Sequence, residues 1–191
     1  MYCGWRARIG LIMPGNGTNP EYEFHKYAPE GVTVMTQRVL FERVDPEGLR
    51  EMGGRIDSAA KLLATAHPDL VLFGCTSGSL IGGFGYDLEL IKRMEGQCGA
   101  KALTTSSAVL MALKALGAKR VVVATPYVDR VNEIEKKFLE DNGFEVLNIK
   151  GLQNLDPDLM PRTPLRQMYH LTKEVLNPAA DAIFVSCTGL G

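Results

Sequence analysis

Two short segments of this sequence each place a cysteine directly after an apolar run and ahead of hydroxyl and glycine residues. The cysteines are 112 residues apart (187 − 75 = 112), and the segments are Phe73-Gly74-Cys75-Thr76-Ser77-Gly78 and Val185-Ser186-Cys187-Thr188-Gly189-Leu190. A side chain that follows a strand lies at the carboxyl edge of its sheet, where open α/β sheets bind ligands. The pattern predicts that two similar halves of the chain bring Cys75 and Cys187 to opposite sides of one small pocket, where they exchange protons with a substrate carbon.

The reactivity of these two cysteines depends on how readily they form thiolates. The thiolate is the nucleophile, and backbone amides at a turn that opens a helix lower a thiol pKa from its usual value of about 8.5. Cys75 and Cys187 both follow predicted strands at such turns, so we expect the pKa of each thiol to be lowered. A single cysteine after a buried strand is most often a small apolar side chain, and we interpret Cys3 and Cys98 in that way.

Other loops at predicted strand ends supply hydroxyl and amide donors but scarcely a cation. Neutral donors bind a carboxylate, and they also bind the enediolate that forms when the α-carbon of an acid loses a proton or a carboxyl group. The candidate substrate-binding residues are Asn16, Thr76, Ser77, Tyr127, Thr188 and Gly189. Two alternatives stay open: Asn16 or Asn19 could serve only the turn that contains it, and Tyr127 could cap a strand edge.

Apolar runs alternate with amphipathic stretches along the chain, which predicts strands that alternate with helices. Predicted strands cover residues 8–14, 32–39, 70–73, 121–124, 145–149 and 182–185, and predicted helices cover residues 50–66, 87–95, 107–116, 129–142 and 164–176. Nearly continuous apolar strands are typical of parallel sheets covered on both faces. The glycine-rich stretch at residues 82–85 does not fit the spacing of a dinucleotide-binding loop, and we expect it to form a flexible loop over the pocket.

Composition excludes several classes of partner. The 191 residues carry 21 Lys and Arg against 22 Asp and Glu, a formal net charge of −1, and no long basic run, so we expect no nucleic-acid partner and no anionic membrane surface. No apolar stretch approaches the roughly 20 residues that a membrane helix needs, and no secretory signal is visible, so we expect a cytoplasmic protein. The four cysteines and three histidines have no metal-ligand spacing, and we expect neither a metal nor a cofactor.

Three motifs resemble a known family. Gly74-Cys75-Thr76-Ser77, the later Cys187-Thr188-Gly189, and Thr125-Pro126-Tyr127 followed by Val131-Asn132 are similar to motifs of the aspartate/glutamate racemase superfamily. The most similar branch holds maleate cis-trans isomerases, arylmalonate decarboxylases and ectoine-utilisation proteins, and the resemblance runs from Ile9 to the last residue. It implies a longer chain, with a final segment that returns to the first half.

Together with the alternation of strands and helices, the resemblance implies an α/β fold of two pseudo-symmetric, Rossmann-like (flavodoxin-like) units. We expect each unit to hold a parallel four-stranded sheet flanked by helices, with the active site in the cleft between the units. The first unit is predicted at residues 1–116 with Cys75, and the second at residues 117–191 with Cys187 and an apparently truncated C-terminus.

The resemblance also implies roles for single residues. Cys75 stands where the racemases and maleate isomerases have their first cysteine and where the decarboxylases have glycine. Cys187 matches the second cysteine, which serves as proton donor. Thr76, Ser77 and Tyr127 match positions that hold the substrate carboxylate in the decarboxylases. Asn16 stands one position away from the asparagine that follows the first strand in the maleate isomerases.

We therefore expect a cofactor-independent two-cysteine isomerase or racemase that acts on a small carboxylic or dicarboxylic acid and resembles maleate cis-trans isomerase. The alternatives are an arylmalonate decarboxylase-like enzyme, an aspartate or glutamate racemase, and a non-catalytic carboxylate-binding protein of the same fold. The expected partners are a small carboxylate substrate and further copies of the chain, in a homodimer or larger homo-oligomer.

Overall fold

A computed structural model describes residues 2–190 of the protein as alternating strands and helices. The strands are β1 (Ala7–Pro14), β2 (Val32–Val39), β3 (Leu70–Phe73), β4 (Lys101–Thr104), β5 (Arg120–Thr125), β6 (Glu145–Gly151) and β7 (Ala182–Val185). The helices are α1 (Asn19–Tyr27), α2 (Pro46–Gly54), α3 (Ile56–Ala64), α4 (Thr76–Leu80), α5 (Tyr86–Cys98), α6 (Thr105–Ala115), α7 (Asp129–Asp141) and α8 (Leu165–Val175), with a 3₁₀ helix at Pro157–Arg162.

The strands form two parallel sheets. The first has the order β2-β1-β3-β4 and the second the order β6-β5-β7. Helices cover both sheets, and the first order is that of flavodoxin-like folds, in which ligands bind beyond the carboxyl ends of the strands. The predicted α/β class with two parallel, helix-flanked sheets is confirmed. The predicted boundary between residues 116 and 117 stays a prediction.

The two sheets repeat one another with the 112-residue offset that separates the cysteines. Ile9 pairs with Leu70 in the first sheet, and Val121 pairs with Ala182 in the second. Hydrogen bonds at the start of the central strands repeat as well: the Arg8 amide donates to the Asp69 carboxylate at 2.7 Å, and the Arg120 amide donates to the Asp181 carboxylate at 2.8 Å. Because β3 and β7 occupy equivalent places, the loops that follow them are equivalent too.

The prediction of four strands in each sheet is wrong for the second sheet, which has three strands among the described residues. The first sheet continues after β3 with β4, and residues 2–190 contain no counterpart of β4 after β7. The Ser186 amide still makes a sheet hydrogen bond to the Ala124 carbonyl at 2.8 Å, and the chain leaves the extended conformation at residue 187.

Other elements differ from the predicted boundaries. The helix predicted over residues 50–66 is two helices, α2 and α3, which meet at Arg55 directly after the weak helix formers Gly53 and Gly54. Strand β4 lies where no strand or helix was predicted, because polar residues stand at both of its ends. Helix α1 and the five-residue helix α4 were also missed, since α1 is polar at most positions and α4 contains only one large apolar residue.

The core lies between the sheets and their helices. Ile12, Val71 and Phe73 of the first sheet are fully buried, as are Val121 and Val123 of the second. This packing fixes the strand ends from which the cysteine loops leave. No helix in the described residues combines the length and apolarity needed to cross a membrane.

Candidate active site

A small cavity lies where the carboxyl ends of the two sheets face one another. Its volume is about 40 Å³, far below the roughly 300–1,000 Å³ of pockets for drug-sized ligands. All eight residues predicted from the sequence line it, namely Asn16, Cys75, Thr76, Ser77, Tyr127, Cys187, Thr188 and Gly189. The fold thus brings residues from both halves to one cavity, whose size suits a small molecule rather than a nucleotide or a polymer.

Cys75 lies two residues after the end of β3 and directly precedes helix α4. The Gly78 amide donates to its sulfur, and the Ser77 hydroxyl lies 4.0 Å from the sulfur. Burial nevertheless dominates and raises the pKa of the Cys75 thiol to about 12, with a smaller contribution from Cys187. The expectation of a lowered pKa is therefore wrong, because the free energy lost when the thiolate is removed from water exceeds the stabilisation by the turn amides.

Cys187 occupies the equivalent position after β7, with the strained backbone angle φ of 117°. Its sulfur accepts a hydrogen bond from the Gly189 amide at 3.3 Å. Burial raises the pKa of this thiol as well, although the Tyr127 hydroxyl and the Gly189 amide oppose the shift. In the ligand-free site both cysteines are thus neutral thiols, and the expected lowering of the pKa is wrong for Cys187 too.

Direct hydrogen bonds join the two halves around the cavity. The Thr188 hydroxyl donates to the Gly74 carbonyl at 3.0 Å, and the Asn19 side-chain amide donates to the Gly189 carbonyl at 2.7 Å. Asn19 therefore supports the loop of Cys187 without lining the cavity, whereas Asn16 lines it.

The loop that carries Asn16 is held from outside the cavity. Arg38 donates to the carbonyls of Gly15 and Gly17, on either side of Asn16, and pairs with Glu21. These contacts fix the backbone of the loop, while the Asn16 side-chain amide donates to the Asp158 carboxylate at 3.5 Å.

Tyr127 is 2% exposed and reaches the cavity from the turn between β5 and α7. The Thr125 hydroxyl holds this turn: it donates to the Asn132 side chain at 2.6 Å and accepts from the Tyr127 amide at 3.1 Å. Burial is the main cause that raises the pKa of the Tyr127 phenol well above its usual value, followed by Cys187 and Glu135. The phenol therefore keeps its proton and acts as a hydrogen-bond donor.

This arrangement of strands, loops and cysteines has counterparts among known proteins. A sequence profile of the family described as arylmalonate decarboxylase matches residues 9–191. The chain belongs to this family.

Relatives of this family member have named activities. Maleate isomerase of Nocardia farcinica is 27% identical over 189 residues, which cover 94% of this chain and 75% of that protein. Arylmalonate decarboxylase of Bordetella bronchiseptica is 30% identical over 149 residues, which cover 77% of this chain and 62% of that enzyme. The family is thus one of enzymes, with isomerases and decarboxylases among its members.

Solved structures of the family share the fold. A liganded double variant of arylmalonate decarboxylase superposes with a TM-score of 0.90 and 28% identity over 97% of this chain and 79% of that chain. A variant of Nocardia farcinica maleate cis-trans isomerase, with a covalently bound succinylcysteine intermediate, superposes with a TM-score of 0.91 and 23% identity over 97% of this chain and 80% of that chain. The second likeness shows the fold alone.

The apolar wall of the cavity was not predicted from the sequence. Phe41 and Val44, from the segment between β2 and α2, lie in this wall with Met160 of the 3₁₀ helix. Neither segment has a helical or strand periodicity, so the only available indication was the presence of large apolar residues in predicted loops. The glycine-rich stretch at residues 82–85 was assigned wrongly, because its first three residues line a surface groove with Arg50 and Lys137 rather than the cavity.

The side chains that line the cavity are uncharged. The residues that line it include no lysine, arginine or histidine within the described chain. Hydroxyls from Thr76, Ser77, Tyr127 and Thr188 and the amide of Asn16 are its polar side chains. A bound anion would be held by hydrogen bonds alone in a site with little water, where such bonds are stronger than in solution.

Proposed function

We propose that this protein is a cofactor-independent isomerase or racemase that acts on a small carboxylic or dicarboxylic acid, with Cys75 and Cys187 as its reacting groups. The observation that carries the proposal is the placement of both thiols in one cavity, on equivalent loops of two repeated sheets. A carboxylate-binding protein without turnover would need neither thiol. The maleate isomerases in the family support a reaction of the maleate cis-trans isomerase type.

The substrate carboxylate is held by neutral donors in this proposal. Thr76 and Ser77 follow Cys75, Tyr127 reaches the same cavity from the second sheet, and the three offer hydroxyls to one carboxylate. When a carbanion forms next to the carboxylate, hydrogen bonds from the same hydroxyls stabilise the enediolate, because negative charge grows on the oxygens that accept them.

For a cis-enedioate substrate, the Cys75 thiol first passes its proton to a carboxylate oxygen of the substrate, which returns it to the Cys75 sulfur in the last step. The thiolate sulfur then forms a bond to one alkene carbon, and the π electrons move to the other alkene carbon as an enediolate. Cys187 supplies a proton to that carbon and removes it again after the central single bond has rotated. Expulsion of the Cys75 thiolate re-forms the double bond as the trans isomer, so atoms and charge balance.

For an α-amino or α-hydroxy acid, the same geometry supports racemisation. One cysteine passes its proton to a carboxylate oxygen of the substrate and, as thiolate, removes the α-proton, while the thiol of the other delivers a proton to the opposite face of the enediolate. The carboxylate then returns its proton to the sulfur that has given one up. The two thiols exchange roles after each turnover.

Decarboxylation is the second candidate, and the apolar wall favours it. Phe41, Val44 and Met160 suit an apolar substituent of a malonate-type acid. In that reaction carbon dioxide leaves, and Cys187 alone protonates the enediolate. The decarboxylases that the chain resembles have glycine at the position of Cys75, so the cysteine here supports the isomerase or racemase proposal instead. A homodimer or larger homo-oligomer and a cytoplasmic location are also proposed.

The test is incubation of the full chain in deuterated water with maleate, with small amino and hydroxy acids, and with substituted malonates, followed by NMR. Fumarate from maleate indicates isomerisation, deuterium at the α-carbon of recovered substrate indicates racemisation, and carbon dioxide release indicates decarboxylation. Cys75→Ser is expected to abolish the first two, while Cys98→Ser, outside the cavity, is the matched control and keeps wild-type turnover. Survival of either reaction in Cys75→Ser would falsify the role of Cys75.

A further inference from the structure

Glu135 places a carboxyl group on a buried helix face, where apolar side chains are usual. It lies on α7, is 0% exposed, and shares the buried face of that helix with Val131, Phe138 and Leu139. The other acidic residues of α7 lie in positions of at least partial exposure, for example Glu140, which pairs with Lys136 on the surface. A buried carboxyl without a cation partner costs free energy, so its presence calls for a function.

The carboxyl group lies directly behind the candidate active site. It lines an internal gap with Thr76 of the Cys75 loop, Ser106 of α6 and Phe184 of β7. The gap has a volume near 0 Å³, so no water fits in it. Its lining contains no lysine, arginine or histidine in the described chain, which leaves the carboxyl without a compensating charge.

Ser186, the residue before Cys187, acts on Glu135. Both carboxyl oxygens of Glu135 and the hydroxyl of Ser186 are buried and lack a hydrogen bond of good geometry, yet the hydroxyl is close enough to stabilise the carboxylate. Apart from these two residues, only Thr36 has a buried side-chain oxygen without a partner in residues 2–190.

We propose that Glu135 is a positioning residue for Cys187: with Ser186 it forms a buried pair behind the reactive loop, and the charge on its carboxyl controls whether the Cys187 thiol keeps its proton. This inference rests on the proposed function to the extent that Cys187 is a reacting group. In this proposal, Glu135 influences the protonation of Cys187, the proton donor.

Few titratable groups interact with Glu135. Burial raises the pKa of Glu135 to about 7, so its charge changes across neutral pH. The titratable groups that respond to this charge are Cys187 and Tyr127, and an ionised Glu135 raises the pKa of both. The other elements packed around the carboxyl, α4, α6 and β7, face it with uncharged side chains. Above neutral pH, the ionised carboxyl therefore holds Cys187 in its protonated form, as a proton donor requires.

The closing experiment measures the rate at which iodoacetamide alkylates Cys187, by peptide mass spectrometry, from pH 5 to 10 and without substrate. In the wild-type protein, we expect the rise of the rate with pH to flatten near pH 7, where Glu135 ionises. In Glu135→Gln this flattening disappears, and Cys187 reacts up to about tenfold faster at pH 8, because no carboxylate charge then raises the pKa of the thiol. Glu133→Gln, an exposed acid on the same helix, is the matched control and keeps the wild-type profile.

Ser186→Ala separates positioning from a merely structural role. Loss of the hydroxyl removes the group that lowers the pKa of Glu135, so the flattening moves to higher pH. This variant also keeps the inference testable if Glu135→Gln does not fold. Identical profiles for wild type, Glu135→Gln and Ser186→Ala would overturn the inference. Because no substrate is present, the profile is independent of the reaction: a protein that turns over no carboxylic acid but shows the flattening overturns the proposed function alone.

Discussion

The Thr188 hydroxyl donates a hydrogen bond of 3.0 Å to the carbonyl of Gly74, across 114 residues of sequence. Each residue is the immediate neighbour of a cysteine, Gly74 before Cys75 and Thr188 after Cys187. One hydrogen bond thus fixes the relative position of the two cysteine loops, which otherwise belong to different sheets.

The bond between Thr188 and Gly74 can be removed without a change of side-chain size. Thr188→Val leaves the Gly74 carbonyl without its donor, and we expect this to lower the free energy of unfolding by about 1–3 kcal/mol. We also expect turnover by the folded variant to fall, because the thiols lose their fixed separation. Thermal unfolding and steady-state kinetics measure the two effects. Thr65→Val, which removes an exposed hydroxyl bonded to Leu62, is the control. Unchanged kinetics in Thr188→Val would contradict the expected coupling of the loops.

The pKa of Cys75 predicts slow alkylation. With a thiol pKa of about 12, caused mainly by burial, the thiolate is a minute fraction at neutral pH. We expect the alkylation rate of Cys75 to rise about tenfold per pH unit between pH 7 and 10, because only the thiolate reacts. At pH 7, Cys75 should react more slowly than the exposed Cys3, which serves as internal control. A plateau of the Cys75 rate below pH 10 would show that the thiolate is stabilised in the free enzyme.

Gly78 makes room for the Cys75 sulfur. A Cβ atom at this position would lie 3.0 Å from that sulfur and would also press on Met52 and Phe73. Gly78→Ala is therefore expected to cost about 1–3 kcal/mol of stability through overpacking and to abolish turnover by displacing the thiol. Gly96→Ala, in helix α5 with open space around it, is the control and should stabilise the protein by about 0.5–1 kcal/mol. Full activity of Gly78→Ala would mean that the thiol tolerates displacement.

Asp181 makes stability depend on acid. Its carboxylate accepts hydrogen bonds from the Arg120 side chain and from the amides of Arg120 and Lys119, which hold its pKa well below the usual range. A lowered pKa in the folded state contributes stability above the unfolded pKa, and this contribution is lost as pH falls through the folded pKa. Asp181→Asn should unfold at a lower temperature at pH 7 and lose less stability between pH 5 and 2. Asp141→Asn, which breaks only a surface pair with Lys137, is the control, and an equal acid sensitivity of the Asp181→Asn variant and wild type would refute the assignment.

Much of the fold was predictable because short sequence patterns indicate the individual strands and helices. Strands β1, β2, β5 and β7 follow from apolar runs, and the amphipathic period gave α7 almost to its last residue. Strand β4 escaped prediction because polar residues stand at both of its ends, and helix α4 because it contains only one large apolar residue. The three-stranded second sheet escaped it as well, since strand pairing is not visible in any one segment.

That two cysteines follow similar strands, with hydroxyl groups beside them, was predictable from the sequence, because short apolar runs and their neighbouring residues mark these positions. Only the folded chain shows that burial raises the pKa of both thiols, that Phe41 and Met160 form an apolar wall, and that Glu135 lies behind Cys187. The pKa of a buried group depends on every chain segment that shields it from water, and those segments come together only on folding.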